Sequence, residues 1–552
     1  MKKMIMLSLY ALAVWTSCSQ PMEKAMQSFI DAHVQTVAPL MKEANLAYWK
    51  AATTGEEIYY DEYAKLDYDL KKIYTNTTEY AQLKQWAEKP ASDPMIKRQI
   101  DLLRLEYLPN QIDSSLLKEI VELSSSIEQQ FSTFRGTING KPVTSNEIEE
   151  ILKSATYSGD REKAWEASKQ IGPEIADQLV HLVKLRNQAA RSLGFDNYHT
   201  LYLYSLEQDV NEITRIFDEL EQLTRQPFIE MKSEVDALLA KSCGIALDEI
   251  MPWHYHDPFF QETPLIYAID LDHYYADQDV KVLAQTYYDG IGLDVESILA
   301  NSDLYERDGK NPHAFCTDID REGDVRVLCN LKNTERWMET MLHELGHGVY
   351  DQYQSPETPF LLRQPAHIFT TEAIAMFFGR LSRDADWMQQ MLNLSDEETE
   401  EIREITVKYA RMKQLIFARW AMVMFSFEKE LYKNPDQDLN KLWWDTVEKY
   451  QMIKRPEGRD MPDWAAKIHF TIAPCYYHNY LLGELFASQI HHQLLSQGQS
   501  EKIEWVNNMD VGHFMKEKIF LPGATKYWNT MIEEATGEPL NPKYFVDQFV
   551  AL

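Results

Sequence analysis

Apolar residues recur at three- and four-residue intervals along most of the chain. Leu116, Leu117, Ile120, Val121, Leu123, Ile127 and Phe131 are separated by Glu, Ser and Gln, a spacing that predicts one face of a helix turned to a core. Ile175, Leu179, Leu182, Val183, Leu185 and Ala189 repeat the pattern after Pro173, a residue suited to a helix's first turn. Further long helices are predicted over 211–239, 398–431 and 477–495. Strand-like text is scarce. Its best example, 324–329, is expected to pair with 313–318 across the polar turn 320–323. No internal repeat, low-complexity tract or Gly/Ser linker interrupts the pattern. The expectation is a mainly α protein, one large helical domain with a small β-hairpin.

The first residues break this pattern. Met1-Lys2-Lys3 is a short basic start, and 4–15 is apolar except for Ser8. Thr16-Ser17-Cys18 follows, small residues leading to a cysteine. This predicts a lipoprotein-type signal peptide over 1–17 and lipidation of Cys18, which begins a mature domain of 18–552. The expected location is extracytoplasmic, in the periplasm or on the cell surface of a bacterium, with the lipid as the link to the membrane. No later run reaches the ~18 apolar residues of a membrane span.

Composition agrees with helix: 20 glycines in 552 residues leave little material for tight turns. The charges sum to 55 − 86 = −31, which argues against nucleic acid or anionic lipid as a partner held by charge. Five cysteines are too few for a disulfide scaffold.

One segment carries chemistry. His343-Glu344-Leu345-Gly346-His347 is an HExxH motif inside a helix predicted over 334–350. Residues i and i+4 share a helix face, so both imidazoles can reach one Zn²⁺ ion, and Glu344 is placed as a general base. Tyr350 and Tyr353 stand where the elongated metzincin motif needs Gly and His. The third ligand is therefore sought on a following helix. Glu372, 372 − 347 = 25 residues after His347, opens the apolar stretch 370–377 with a threonine as its expected N-cap. One catalytic zinc on His343, His347 and Glu372 is the expectation.

With that spacing the sequence resembles two families of zinc peptidases, the peptidyl-dipeptidase A (angiotensin-converting-enzyme-like) family and the thimet oligopeptidase/oligopeptidase F family. Other motifs favour the first. Glu372-Ala373-Ile374 is similar to its third-ligand segment, Trp443-Trp444-Asp445 with Lys449-Tyr450-Gln451 to its WW…KYQ stretch, and Ala466-Lys467-Ile468-His469 to its AKFH segment. Tyr477-His478-Asn479-Tyr480 resembles its Tyr-x-x-Tyr, with His491 at the family distance beyond. Asn187-Gln188-Ala189-Ala190-Arg191, Ser205-Leu206-Glu207-Gln208-Asp209 and His313-Ala314 match upstream. The likeness is collinear over about 179–494 and faint before 179 and over 210–311.

The resemblance implies a helical fold split by a deep substrate channel that admits peptides. It implies that His469 and Tyr480 stabilise the oxyanion, and that Lys467 and Tyr477 hold the substrate's C-terminal carboxylate. His313 and Ala314 would lie on an edge strand facing the peptide. A Cys316–Cys329 disulfide is also implied. Three departures stand out. Met376 replaces an Asp that orients a zinc-bound imidazole, Tyr255 falls where a carboxylate-binding Gln is expected near Trp253, and Val447 and Asn479 replace arginines of the family's chloride sites. The expected activity is release of C-terminal dipeptides. The alternatives are an endo-acting oligopeptidase, which Tyr255 favours, and an inactive peptide-binding lipoprotein.

Overall fold

The computed structural model describes residues 2–266, 270–498 and 502–550, with side chains from residue 21 onward within those ranges. The signal peptide read over 1–17 and the lipid attachment at Cys18 lie outside the described side chains. Helices dominate, and the two sheets among the described residues are two-stranded hairpins. No helix among the described residues is long and apolar enough to cross a membrane. The single domain expected from the sequence gathers into two compact units, each built from three separate stretches of chain. That interleaving explains why no linker marks a boundary.

The first unit comprises 1–111, 272–382 and 502–539. Its longest helix is Lys2–Thr54, which packs beside the hairpin Phe315–Asp318 with Val325–Leu328. Asn45 Nδ2 donates to the carbonyls of Asp318 and Ile319 at 3.1 Å, and Trp49 and Leu328 share a small apolar cluster. The strands are antiparallel with Phe315 opposite Leu328 and Asp318 opposite Val325, inside the two stretches the sequence paired. In the turn, the Asp318 carboxylate accepts from the backbone N–H of Asp320 and of Arg321, and Arg321 takes a left-handed φ of 56°. Local side-chain acceptors of this kind stabilise a tight turn without any strand propensity.

Two helices of this unit carry the HExxH motif and Glu372: Glu335–Gln352 and Ile368–Gly379. They approach closely because Gly346 has no side chain. A Cβ there would lie 2.8 Å from Ala375 Cα and 3.2 Å from the Ile374 carbonyl oxygen. Backbone atoms cannot yield as a flexible side chain can, so a glycine is required at this crossing.

The second unit comprises 112–271, 383–501 and 540–552. Its long helices are Ile171–Ser192, Val210–Cys243, Asp396–Lys433 and His478–Gly498, each within a few residues of the predicted limits. Asp396–Lys433 begins with a capping box between Ser395 and Glu398. Val210–Cys243 ends on Gly244 in the left-handed region, φ 66°, where glycine has no steric penalty. A second small hairpin, Gly136–Ile138 with Lys141–Val143, is too short to show alternation in the sequence.

Candidate active site

In the first unit, Thr334 caps the helix Glu335–Gln352 by accepting from the Trp337 N–H. His343 and His347 project from one face of that helix, with ring centroids 5.0 Å apart. Glu372 arrives from the neighbouring helix, its Oε2 lying 3.8 Å from His343 Nε2 and 4.0 Å from His347 Nε2. One ligand atom from each of the three residues falls within 4.8 Å of the others. Such a spread can close on one tetrahedral cation and leave a fourth position open.

The second helix begins earlier than expected. His367 is its N-cap in place of a threonine: its Nδ1 accepts from the Phe369 N–H, and the Thr370 hydroxyl donates to the His367 carbonyl. Glu372 therefore sits in the second turn, and the Thr371 hydroxyl is free for another task. Thr371 Oγ1 lies 2.7 Å from His347 Nδ1. A proton on Nδ1 donated to that hydroxyl leaves Nε2 with its lone pair toward Glu372, the tautomer that a metal requires. Met376 has no acceptor to offer, and Thr371 supplies the support that the aspartate at position 376 was expected to give.

Glu344 is 7% exposed, and Cys316 in the adjacent strand donates its backbone N–H to the carboxylate. Burial, with the charge of Glu372 beside it, raises Glu344 to about 8. Burial also raises Glu372 to about 7 and holds His347 well below its ordinary value. Two desolvated carboxyls beside His343 and an uncharged His347 form a donor set that fits a divalent ion, whose charge would return both acids to their ionised form.

These residues open on a pocket of about 550 Å³ within the first unit, lined also by Ala314, Phe315, Cys316, Asp351, Gln364 and Ile368. Ala314 lines the pocket but, like His313, lies just before the strand, which begins at Phe315. His313 is exposed, and its backbone N–H donates to Asn311 Oδ1. The implied disulfide is not formed, because Cys316 and Cys329 are both free. Cys316 stands opposite Val327, two residues short of Cys329. Diagonal neighbours in a ladder are about 7–8 Å apart, beyond the ~4.4–6.8 Å that a disulfide spans.

The remaining site residues belong to the second unit, and they cluster there. Arg186 donates to the carbonyls of Phe470 at 3.0 Å and Thr471 at 2.7 Å, which fixes the short helix His469–Ile472. The Glu428 carboxylate accepts from the Cys475 N–H, where φ is 59°, and so holds the bend before Tyr477. The Tyr477 ring then stands 5.1 Å from His469 and 5.4 Å from Tyr480. Burial lowers His469 to about 4, so the ring is neutral near pH 7, and its Nδ1 has no partner.

Lys467 is buried, and its ammonium lies 5.1 Å from the Trp420 ring and 5.6 Å from the Tyr477 ring. Burial lowers it to about 8, against the opposing pull of Asp257 and Glu262. Lys467 Nζ donates to Gln261 Oε1 at 2.5 Å. The Tyr477 hydroxyl accepts from Trp420 Nε1 at 2.8 Å, which leaves its own proton to be donated.

Gln261 escaped the sequence reading because it lies in 210–311, where the family likeness is faint. Tyr255 had been matched to the carboxylate-binding glutamine. It is instead a core residue, its hydroxyl bound to Asp236 at 2.8 Å and Lys232 at 2.7 Å. An amide thus stands beside Lys467 after all. Asn479 is fully buried and accepts from Gln208, and Val447 is buried in the wall of a small cavity that Lys169 and Asp463 also line. Neither offers a positive charge. His254, His256 and His478 bond to Ser158, to the Leu265 N–H and to Gln208.

Comparison with known proteins agrees with this geometry in two successive portions. Residues 295–551 match the model of peptidase family M3, and residues 20–241 match that of angiotensin-converting enzyme. Carboxypeptidase 1 of Bacillus subtilis is 23% identical over 275 residues, 44% of this chain and 54% of that protein. An inactive angiotensin-converting enzyme-related protein of Caenorhabditis elegans is 21% identical over 402 residues, 65% of this chain and 44% of the other. An oligoendopeptidase F homolog of Borreliella burgdorferi is 22% identical over 371 residues, 58% of this chain and 59% of the other. The chain spans about half the length of the curated relatives it matches. The likeness throughout is to zinc metallopeptidase families.

Proposed function

We propose that this chain is a zinc-dependent peptidase that releases dipeptides from the C-termini of peptides outside the cytoplasm. The observation that carries the hydrolytic reading is the convergence of His343, His347 and Glu372 within 4.8 Å, with Glu344 buried on the same pocket. Zinc bound there would polarise the scissile carbonyl and acidify a water. Glu344 takes the proton of the attacking water and passes it to the leaving amine. A protein with these groups intact favours catalysis over a purely binding role.

The other roles follow from donor chemistry. His469, neutral, and Tyr480 supply N–H and O–H donors for the oxyanion. The Lys467 ammonium, the Gln261 amide and the Tyr477 hydroxyl form a donor group suited to a free carboxylate. The backbone at Ala314, just before the strand Phe315–Asp318, pairs with an extended peptide, and His313 flanks it. Gln261 beside Lys467 favours C-terminal recognition over the endo-acting oligopeptidase reading. We further propose export through residues 1–17 and lipidation of Cys18, so that Cys18→Ser yields a soluble form. Wild type recovered soluble with an unmodified N-terminus overturns that proposal.

The test of the exopeptidase reading is product analysis by mass spectrometry on peptides with a free or amidated C-terminus. Dipeptides from the acids and little product from the amides support it. Fragments of scattered length from both forms replace it with the oligopeptidase reading.

A further inference from the structure

The pocket of the first unit contains one carboxylate that hydrolysis does not use. Asp351 lies four residues after His347 on the same helix, so it shares the face that carries the metal ligands. Four residues advance a helix by about 6 Å, the reach of a long side chain on a substrate residue beside the scissile bond. Asp351 lines the pocket together with His343, Glu344, His347 and Glu372.

Its surroundings in the pocket wall offer no counter-charge. The described pocket wall contains no Lys or Arg. The nearby Asp318 carboxylate already accepts two backbone N–H groups of its own turn, and its charge repels that of Asp351. Arg321 acts on Asp351 from outside the pocket lining, and its guanidinium donates to the Phe360 carbonyl at 3.2 Å and to Gln364 Oε1 at 3.0 Å rather than to that carboxylate. Burial and Asp318 together lift Asp351 well above the ordinary carboxylate range. A desolvated carboxylate with no cation in the pocket wall beside it is costly, and an entering cation relieves the cost. Glu344 and Glu372 are committed to proton transfer and to the metal, so Asp351 is the acid left over for the substrate.

We propose that Asp351 is a specificity-determining residue that selects peptides with a lysine or arginine side chain next to the scissile bond. The inference rests on the peptidase reading and names the substrate class of that same pocket. A charge-assisted contact here discriminates by about ten- to a hundredfold.

The experiment uses pairs of quenched peptides that differ only in arginine or its neutral isostere citrulline, placed in turn on each side of the cleaved bond. Wild type is expected to favour arginine at one position by about ten- to a hundredfold in kcat/KM. Asp351→Asn is expected to bring that ratio close to one, and Asp351→Lys to invert it in favour of citrulline. Equal rates for arginine and citrulline peptides at both positions overturn the inference, whatever the variants do. So does a wild-type preference that Asp351→Asn leaves unchanged. In both cases hydrolysis persists, which separates this failure from failure of the peptidase reading, where neither peptide is cut.

Discussion

Removal of the Thr371 hydroxyl should weaken zinc binding without unfolding the protein. Thr371→Val keeps the branched shape and deletes only the oxygen 2.7 Å from His347 Nδ1. The imidazole then loses the contact that fixes its tautomer and ring angle. Loss of such support costs about 10–100-fold in metal affinity, or roughly 1.4–2.8 kcal/mol at about 1.4 kcal/mol per decade. The assay is a competition titration of zinc between the protein and a chromogenic chelator, run beside thermal unfolding of the metal-free protein. Thr371→Ser restores the hydroxyl and should bind within a few-fold of wild type. Zinc affinity in Thr371→Val equal to wild type would show that the hydroxyl does not support His347, as would a Ser variant as weak as the Val one.

Gly346→Ala should destabilise the metal-free protein by about 1–3 kcal/mol in denaturant unfolding, because its Cβ meets backbone of the neighbouring helix; unchanged stability would mean that the helices part freely. Lys467→Ala should lower kcat/KM for free-acid peptides by about ten- to a hundredfold and spare their amides; equal losses on both would contradict a carboxylate contact. Lys467 is lowered to about 8 by burial and holds an anion only while protonated, so the preference for acids over amides should be full at pH 6 and decline as pH rises through about 8. A preference that is flat to pH 10 would assign the contact elsewhere. Chloride titrated at constant ionic strength should change activity little, since Val447 and Asn479 carry no charge; a large activation would show an anion site built from other residues.

The parts of the site legible in the sequence are those fixed by local periodicity. His343 and His347 share a face by helix geometry alone, and Glu372 stands out as an acid in an apolar stretch. The hairpin was legible because a polar turn separates two alternating runs. What stayed hidden depends on contacts between distant segments. Thr371 looks like a helix cap until His367 takes that place, and Gly346 looks like a motif filler until Ala375 packs against it. Gln261 stayed unread, and Tyr255 fell where a glutamine was expected, because a non-repetitive loop offers no periodicity from which to read direction. Asp351 resembles any polar residue on a helix until the pocket wall is known to lack a cation.

His343, His347 and Glu372, with Glu344 as base, are proposed to form a zinc-dependent hydrolytic site. Its most direct measurement is zinc stoichiometry and peptide hydrolysis on the same samples of wild type and Glu344→Gln, stripped with chelator and then reloaded. The prediction is one zinc per chain in both proteins, wild-type hydrolysis that returns in proportion to zinc, and activity in Glu344→Gln lower by roughly 10²–10⁴-fold. Hydrolysis that survives removal of the metal, or a Glu344→Gln variant as active as wild type, would contradict it.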